Sequence, residues 1–412
     1  MNAPGLRLFV DDLHDQFGRW PLAYTSAGGP ELAEVLAIGE RVAKGDDVAF
    51  AGAFRQAGEV NVARAAEAES AGHRHTASDL YLRASALFGT ALHPLYGAPV
   101  DPLLLQIFER QSEAFARGLE LLRVPAIPLA IPCDGVTLPG YLIPAQHATP
   151  GTVRPLIIFT NGYDATMPDV YFASAVAATR RGYHALLFDG PGQGAVLYQQ
   201  GVPMRPDWET VVSAVIDVVE QLPTVDPRRI VISGWSLGGY LSPRAASGEH
   251  RLAACIADPG QWDLGASVAS FARALGAPPE QVADLSLLSE EFLEGMQQVI
   301  DADRRLRWSI VQRGFWVNGV DTLRDFIQVT RRYSLVGREA DIRCPTLITL
   351  AEADPLAASA EALFDQLTCE KTLMRFTDTD AAAEHCEMGN RSLLNLRVLD
   401  WLDDLFARAT GK

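Results

Sequence analysis

The spacing of hydrophobic residues separates a helical first third of the chain from the remainder. In segments 58–70, 77–92 and 103–122, apolar residues recur at every third or fourth position, which is the period of an amphipathic helix. No run before about Arg123 has the short, continuous apolar character of a buried parallel strand. Residues 1–124 are therefore predicted to form a helical N-terminal segment.

From Pro125 onward, short apolar runs alternate with helical patterns. The strand candidates are residues 126–132, 136–143, 155–160, 183–188, 229–233, 252–257, 345–350 and 372–376. Helical patterns at 171–181 and 208–222 separate some of them. Strands joined by helical crossovers favour a parallel sheet that is covered on both faces. The expected fold class is α/β, with a mostly parallel sheet built from residues 125–263 and 343–412.

The alternation stops between residues 264 and 342. This interval is rich in Glu, Leu, Arg and Phe and has helical periodicity near 285–300 and 322–333. It follows the carboxyl end of a predicted strand, which is the edge at which α/β sheets bind their ligands. We therefore expect a helical cap inserted over a binding site.

Composition narrows the class of protein. The chain has 412 residues, of which 48% are hydrophobic, and a formal net charge of −16. Proteins that bind nucleic acids need a positively charged surface, so this negative charge argues against that class. Five cysteines without a C-x-x-C pair indicate neither a disulfide framework nor a zinc site. Residues 1–10 lack the pattern of a signal peptide, and no run approaches the ~18 apolar residues of a membrane span. A cytoplasmic protein without nucleic-acid or membrane partners fits these features.

A serine flanked by glycines follows one predicted strand. The sequence Gly-Trp-Ser-Leu-Gly at 234–238 comes after an apolar run and before a helical pattern, the strand–turn–helix setting of a nucleophilic serine. Glycine suits this turn because the backbone is tight and leaves no room for side chains. Ser236 is therefore the candidate nucleophile. The alternative is an ordinary strand–helix turn with an exposed serine.

The partners that such a serine needs follow in the order Ser, Asp or Glu, His. Asp354 comes soon after the predicted strand 345–350, where its carboxylate can orient a histidine and stabilise its imidazolium. Glu352 in the same loop is the alternative. Asp354 is preferred because its side chain is shorter and an Asp-Pro step favours a fixed turn. His385, in the loop after the last predicted strand, is the candidate base.

Negative charge that develops on a carbonyl oxygen requires N–H donors aimed at it. One donor is expected from Leu237, the residue after the nucleophile. The second is expected from Tyr163 in the loop 161–164, with Gly162 allowing the close approach. The alternative for this loop is an ordinary glycine turn.

With these residues assigned, the chain resembles the α/β-hydrolase superfamily. The resemblance rests on Thr-Asn-Gly-Tyr-Asp at 160–164, Phe-Asp-Gly-Pro-Gly-Gln-Gly at 188–194 and Gly-Trp-Ser-Leu-Gly-Gly at 234–239. These motifs are similar to the branch that holds 2,6-dihydroxypseudooxynicotine hydrolase, FrsA-like esterases and fungal polyketide chain-shortening hydrolases. The resemblance implies the α/β-hydrolase fold with a helical N-terminal segment and an inserted cap, no metal or organic cofactor, and a homodimer, as many members form.

Four further residues are candidates for contact with a substrate. His73 and Arg83 would reach the site if the helical segment folds over it. Asp258 and Asp263 follow the predicted strand 252–257, near the expected mouth of the site. The alternatives are exposed helix positions for the first pair and turn carboxylates at the start of the cap for the second.

Two classes of function other than hydrolysis are set aside. The loop at 190–195 nearly matches the dinucleotide-binding G-x-G-x-x-G pattern. Prolines follow it, however, where the N-terminus of a helix should receive the pyrophosphate. A nucleotide-dependent oxidoreductase is therefore a remote alternative. A non-catalytic binding module on the same fold is likewise a remote alternative: lost triad members would support it, yet all three are present.

The sequence predicts a serine hydrolase acting on a bulky ester, or on a C–C bond beside a ketone, in a compound such as a secondary metabolite. Hydrolysis of small esters or thioesters and acyl transfer use the same triad and stay open. Aromatic residues of the inserted segment would either line a large pocket or pack the cap's own core. They are Trp262, Phe271, Phe292, Trp308, Phe315, Trp316 and Phe326.

Overall fold

The computed structural model describes residues 7–146, 149 and 151–409, so most of the segment considered for a signal peptide lies outside it. One sheet has the order β1-β2-β4-β3-β5-β6-β7-β8. β1 pairs with β2 and β2 with β4 in antiparallel fashion, and the other pairs are parallel. The strands are β1 Ile127–Cys133, β2 Val136–Ile143, β3 Arg154–Thr160, β4 His184–Phe188, β5 Val225–Trp235, β6 Ala254–Asp258, β7 Thr346–Ala351 and β8 Lys371–Phe376. The predicted mostly parallel sheet is confirmed.

The central strands of the sheet are buried on both faces. Along β3, Leu156 and Ile158 belong to one hydrophobic layer, whereas Ile157 and Phe159 belong to the opposite layer. Successive side chains alternate in this way because a strand has a period of two. Burial on both faces explains why the strands are continuous apolar runs in the sequence.

The strand bounds differ from the predicted ones by up to four residues. The largest difference is at β5, which begins at Val225 instead of residue 229. Its first residues include Asp226 and Pro227, which are typical of turns, and the pairing of β5 with β3 shifts register near Arg154.

Helices dominate the chain before β1. They are α1 Asp12–Arg19, α2 Leu32–Val42, α3 Asp47–Ser70, α4 Arg74–Leu92 and α5 Pro102–Glu120. Asp11, Asp46 and Asp101 accept backbone N–H groups at the starts of α1, α3 and α5, as N-cap residues do. Phe54 and Phe88 join one layer of the sheet's core, so these helices are packed onto the α/β unit.

The helices of the α/β core flank the sheet. They are α6 Met167–Val170, α7 Val176–Arg181, α8 Gly194–Tyr198, α9 Trp208–Val219, α10 Gly238–Gly248, α17 Ala360–Gln366 and α18 Arg391–Ala409. A π-helical turn, Tyr171–Ala175, joins α6 to α7. α9 and α10 pack on one face, and α7 and α18 on the other.

The inserted segment between β6 and β7 is helical. Its helices are α11 Leu264–Ala274, α12 Pro279–Ala283, α13 Glu290–Ala302, α14 Arg304–Leu306, α15 Trp316–Asn318 and α16 Leu323–Thr330, with a π-helical stretch at Arg307–Phe315. Leu293, Met296 and Ile327 belong to a hydrophobic cluster of its own. Within the described ranges, no helix is long and apolar enough to cross a membrane. The homodimer, the cytoplasmic location and the division of the chain at residues 124, 263 and 342 stay predictions.

Candidate active site

Ser236 lies on the tight turn between β5 and α10. Its backbone φ is +59°, a left-handed conformation that costs a non-glycine residue energy and is common at functional sites. The N–H of Ser236 donates to the carbonyl of Asp258 at 2.7 Å, and Gly239 N–H donates to the carbonyl of Ser236 at 2.8 Å. A Cβ at Gly234 would lie 1.8 Å from the carbonyl oxygen of Gly238. The glycine before the nucleophile is therefore required by contact.

The structure brings the three predicted triad residues together. His385 Nε2 lies 3.0 Å from Ser236 Oγ, and His385 Nδ1 lies 2.8 Å from Asp354 Oδ2. The other oxygen of Asp354 accepts the N–H of Leu356 at 2.9 Å, which fixes the carboxylate. Glu352 is exposed and accepts a backbone N–H away from the histidine. The geometry therefore favours Asp354 as the partner of His385.

The electrostatic surroundings favour the protonated form of His385. Burial lowers the pKa of this imidazole, but the hydrogen bond to Asp354 and the negative charge of Asp354 raise it. The charges of Asp164 and Asp258 act in the same direction, so the net pKa lies above the ordinary value of 6.5. A histidine that accepts a proton from a serine benefits from this arrangement, because the carboxylate stabilises the imidazolium that forms.

Backbone N–H groups face the space beside the nucleophile. A Cβ at Gly162 would lie 2.9 Å from the backbone nitrogen of Leu237 and 3.1 Å from Ser236 Oγ. Leu237 and Tyr163 N–H donate to no acceptor among the described residues, so both are free for a ligand oxygen. Gln193 Nε2 donates to the carbonyl of Asn161 at 2.7 Å. The glycine-rich loop at 190–194 therefore supports the loop that carries Tyr163.

Comparison with known proteins identifies the family. The model of the alpha/beta hydrolase family matches residues 157–388, which is more than half of the chain. The chain belongs to this family. Among curated relatives, the 20-hydroxy-prefusarin hydrolase FUS2 of Gibberella moniliformis is 34% identical over 92% of this chain and 93% of its own length. Hydrolase LUC6 of a Fusarium species is 33% identical, again over 92% of this chain and 93% of its own.

Solved structures show the same fold. The 2,6-dihydroxy-pseudo-oxynicotine hydrolase has a TM-score of 0.74 at 21% identity and covers 94% of this chain and 96% of its own. AbyA5 has a TM-score of 0.65 at 17% identity, over 97% and 100% of the two chains. These matches confirm the predicted fold class and the resemblance drawn from the motifs. The protein is an enzyme of the hydrolase class.

In this alpha/beta hydrolase, the cap contacts the loop that carries the second candidate donor. Arg313 donates to Asp164 at 2.6 Å, and Asn318 Nδ2 donates to the hydroxyl of Tyr163 at 3.1 Å. Tyr96, from the N-terminal segment, donates to the carbonyl of Asp164 at 2.8 Å. Burial raises the pKa of Asp164, but the charge and hydrogen bond of Arg313 together with the charges of His93 and His385 outweigh it, and the net pKa is lowered. Contacts from both the cap and the N-terminal segment thus fix the position of this loop.

The N-terminal segment of the hydrolase also reaches the triad, through a residue that sequence reasoning missed. The ring of Trp20 lies 6.2 Å from that of His385 and 6.0 Å from that of Trp235, measured between centroids. Trp20 is half-buried. Its position follows α1 in the chain, and nothing in the local pattern distinguishes it from a core tryptophan.

Three of the four candidate substrate contacts have partners within the protein, and contact with a substrate stays a prediction for all four. Asp258 is buried and forms an ion pair with Arg391 at 2.5 Å. Asp263 is the N-cap of α11. His73 is exposed at the start of α4, and Arg83 pairs with glutamates of the N-terminal segment. Asp258, Asp263 and Arg83 thus have partners that stabilise the fold, whereas His73 occupies an exposed position at the start of a helix, as its alternative requires.

The aromatic residues of the cap are packed against protein. Four of them belong to or pack against the cap's own hydrophobic cluster: Phe271, Phe292, Phe315 and Phe326. Trp308 and Trp316 are buried, and Trp308 Nε1 donates to the carbonyl of His93 at 2.8 Å. Trp262 Nε1 donates to Glu339 at 2.6 Å. The packing alternative therefore accounts for these residues, and they do not argue for a large pocket.

Among the residues described, no group of three or more His, Cys, Asp or Glu side chains is arranged to hold a metal ion.

Proposed function

We propose that this enzyme is a serine hydrolase that acts through an acyl-enzyme, with Ser236 as nucleophile, His385 as base and Asp354 as the residue that orients the base. The observation that carries the proposal is the hydrogen-bonded path from Ser236 Oγ through His385 to Asp354, with distances of 3.0 and 2.8 Å. A nucleophile within hydrogen-bonding reach of a base that a third group orients is the arrangement required for covalent catalysis.

The chemistry follows from these positions. Ser236 Oγ attacks the carbonyl carbon while its proton moves to His385 Nε2. The N–H groups of Leu237 and Tyr163 stabilise the negative charge on the carbonyl oxygen. The bond to the leaving group then breaks, and the leaving group takes the proton from His385. A water molecule, deprotonated by the same histidine, hydrolyses the acyl-enzyme and releases a carboxylic acid.

The proposed substrate is a bulky acyl compound, either an ester or a ketone whose leaving carbon is stabilised. A relative that matches 92% of the chain is named for a single organic compound, 20-hydroxy-prefusarin, and this supports an elaborate substrate. Cleavage of a C–C bond produces a carbanion, so such a substrate must carry a second carbonyl or an aromatic ring that delocalises the electron pair. An ester needs no such group.

Labelling with a fluorophosphonate tests the nucleophile. The probe should modify Ser236 in the parent protein, and Ser236→Ala should abolish labelling and lower kcat by about 10⁴- to 10⁶-fold. Ser233→Ala is the matched control, because Ser233 lies three residues earlier on β5 and outside the turn; it should still label. A Ser236→Ala variant with near-normal kcat would contradict the proposal.

A substrate panel tests the reaction. We expect kcat/KM to be higher for bulky aryl esters or aryl β-diketones than for small acetate esters. A clear preference for acetates would leave a general small-ester hydrolase. Adding an alcohol or amine acceptor to the same assay distinguishes hydrolysis from acyl transfer, since transfer would yield the acceptor's ester or amide in place of the free acid.

A further inference from the structure

A cluster of buried charged residues lies directly behind the triad. Arg391, at the start of α18, contacts Asp258 Oδ2 at 2.5 Å and donates to the carbonyl of Cys386 at 2.8 Å and to the hydroxyl of Ser174 at 2.9 Å. The second oxygen of Asp258 accepts the hydroxyl of Thr349 at 3.0 Å. The ion pair between Arg391 and Asp258 therefore has hydrogen-bonding partners on both sides.

Glu387 is an additional carboxyl group in this cluster. It is completely buried, and its Oε2 lies 3.9 Å from the same nitrogen of Arg391 that binds Asp258. Neither oxygen of Glu387 accepts a hydrogen bond from a donor among the described residues. The same guanidinium nitrogen contacts both Asp258 Oδ2 and Glu387 Oε2, so the two carboxyl groups lie beside each other, where one can hydrogen-bond to the other. A buried carboxylate without donors is costly, whereas a protonated carboxylic acid would donate to Asp258.

We propose that Glu387 is a protonated carboxylic acid that shares its proton with Asp258 beside Arg391. We propose further that this hydrogen-bonded pair positions His385 relative to Ser236. Two ionised carboxylates beside one guanidinium would leave an uncompensated negative charge in the core. Retention of one proton makes the group of three neutral, and it turns the contact between the two carboxyl groups into a hydrogen bond.

The groups around Glu387 support retention of the proton. Burial raises the pKa of Glu387 well above its ordinary 4.5, the charges of Asp258 and Asp354 raise it further, and Arg391 opposes them only in part. These groups come from β6, from the loop after β7 and from α18; His385 and Cys386 precede Glu387 on its own loop. Arg391 is therefore the cation that faces Glu387, and it is already engaged by Asp258.

The pair connects the two loops on which catalysis depends. The carbonyl of Asp258 accepts the N–H of Ser236, while Glu387 lies two residues after His385. Cys386 and Glu387 both have positive φ, at 54° and 50°, so the histidine loop is held in a strained conformation. A hydrogen bond from Glu387 to Asp258 would tie this loop to the nucleophile turn and hold His385 Nε2 against Ser236 Oγ.

Infrared spectroscopy of the full-length protein tests the proton directly. At pH 7, where ordinary glutamates are ionised, the parent should have the carbonyl band of a protonated carboxylic acid, and the band should shift when glutamate is labelled with ¹³C. Glu387→Gln should remove it. Glu249→Gln is the matched control, because Glu249 is also buried but its carboxylate binds Arg251 and Ser213; this variant should retain the band.

Absence of a labelled protonated band in the parent at pH 7 would overturn the proposal, and that result does not depend on the folding of any variant. A band that survives Glu387→Gln would overturn the assignment to this residue. Neither measurement requires catalysis. Both are therefore independent of the serine mechanism.

Kinetics test the positioning role, and this step rests on the proposed function. Glu387→Met removes the donor at similar size and should lower kcat by about 10- to 100-fold with little change in KM. Glu387→Gln should recover most of that loss, because its amide N–H can donate to Asp258. Equal effects of Met and Gln would overturn the positioning role. If Ser236 failed to label, the serine mechanism would fail instead, and the infrared result would still stand.

Discussion

A methyl group at Gly162 would test the candidate oxyanion site with a minimal change. Gly162 faces the nucleophile turn, and its φ lies outside the left-handed region, so the backbone accommodates alanine. The added Cβ of Gly162→Ala would lie 2.8 Å from Ser236 Cβ, 2.9 Å from Leu237 N and 3.1 Å from Ser236 Oγ. The methyl group would thus enter the space between the nucleophile and one N–H donor.

The expected loss follows from these distances. A donor must lie about 2.7–3.1 Å from the oxygen that it stabilises, and the methyl carbon would lie at that distance from Leu237 N. For a carbon atom this is shorter than van der Waals contact, so the nucleophile turn must shift slightly, and the methyl group blocks the approach of a substrate oxygen to this N–H. Loss of one oxyanion donor costs about 10²–10³ in kcat, or roughly 2.7–4 kcal/mol. We expect a decrease of this size for Gly162→Ala, with the fold retained.

The assay compares kcat on a reporter ester, with thermal unfolding as a check on the fold. Gly295→Ala in α13 is the matched control, because a Cβ there would meet no atom within 4 Å. It should leave kcat unchanged and stabilise the protein by about 0.5–1 kcal/mol, since glycine is unfavourable within a helix. A Gly162→Ala enzyme with kcat within about threefold of the parent would refute the assignment of this oxyanion site.

Three further predictions concern the triad and the cap. Asp354→Asn should lower kcat by about 10⁴-fold because the histidine would rest in the wrong tautomer, whereas Glu352→Gln should lower kcat only slightly. If the two results were reversed, Glu352 would be the residue that orients His385. Since a base must be neutral and the pKa of His385 is raised, kcat/KM should fall on the acid side with a midpoint above 6.5. In Asp354→Asn that midpoint should move down, and an unchanged midpoint would contradict the cause assigned here. Arg313→Met should lower kcat by about tenfold or more by releasing Asp164; if kcat is unchanged and only KM rises, Arg313 contacts the substrate instead.

The nucleophile turn could be predicted from the sequence because its requirements are local. Ser236 needs a strand before it, a helix after it and glycines where Cβ atoms would meet backbone. Each of these requirements restricts the residue types at neighbouring positions, so it is visible in the sequence. The strands were predictable for a similar reason, since burial on both faces imposes a continuous apolar run. The start of β5 was missed because Asp226 and Pro227 are typical of turns, although the strand begins before them at Val225, which pairs with Arg154.

The roles of most other polar residues depended on partners distant in the chain. Asp258 stands at the carboxyl end of β6 as Asp354 stands just after β7, yet its carboxylate is paired with Arg391, 133 positions later. Trp20 reaches His385 only because the N-terminal segment packs on the core.

The sequence by itself indicated the fold class, the candidate nucleophile and the order of the candidate triad, because those features depend on the periodicity and turn chemistry of nearby residues. The tertiary structure placed Asp354 beside His385, paired Asp258 with Arg391 in an ion pair, and buried Glu387 beside both. The physical reason is that the energy of a charge depends on its desolvation and on the opposite charges around it. Both are properties of residues brought together by folding.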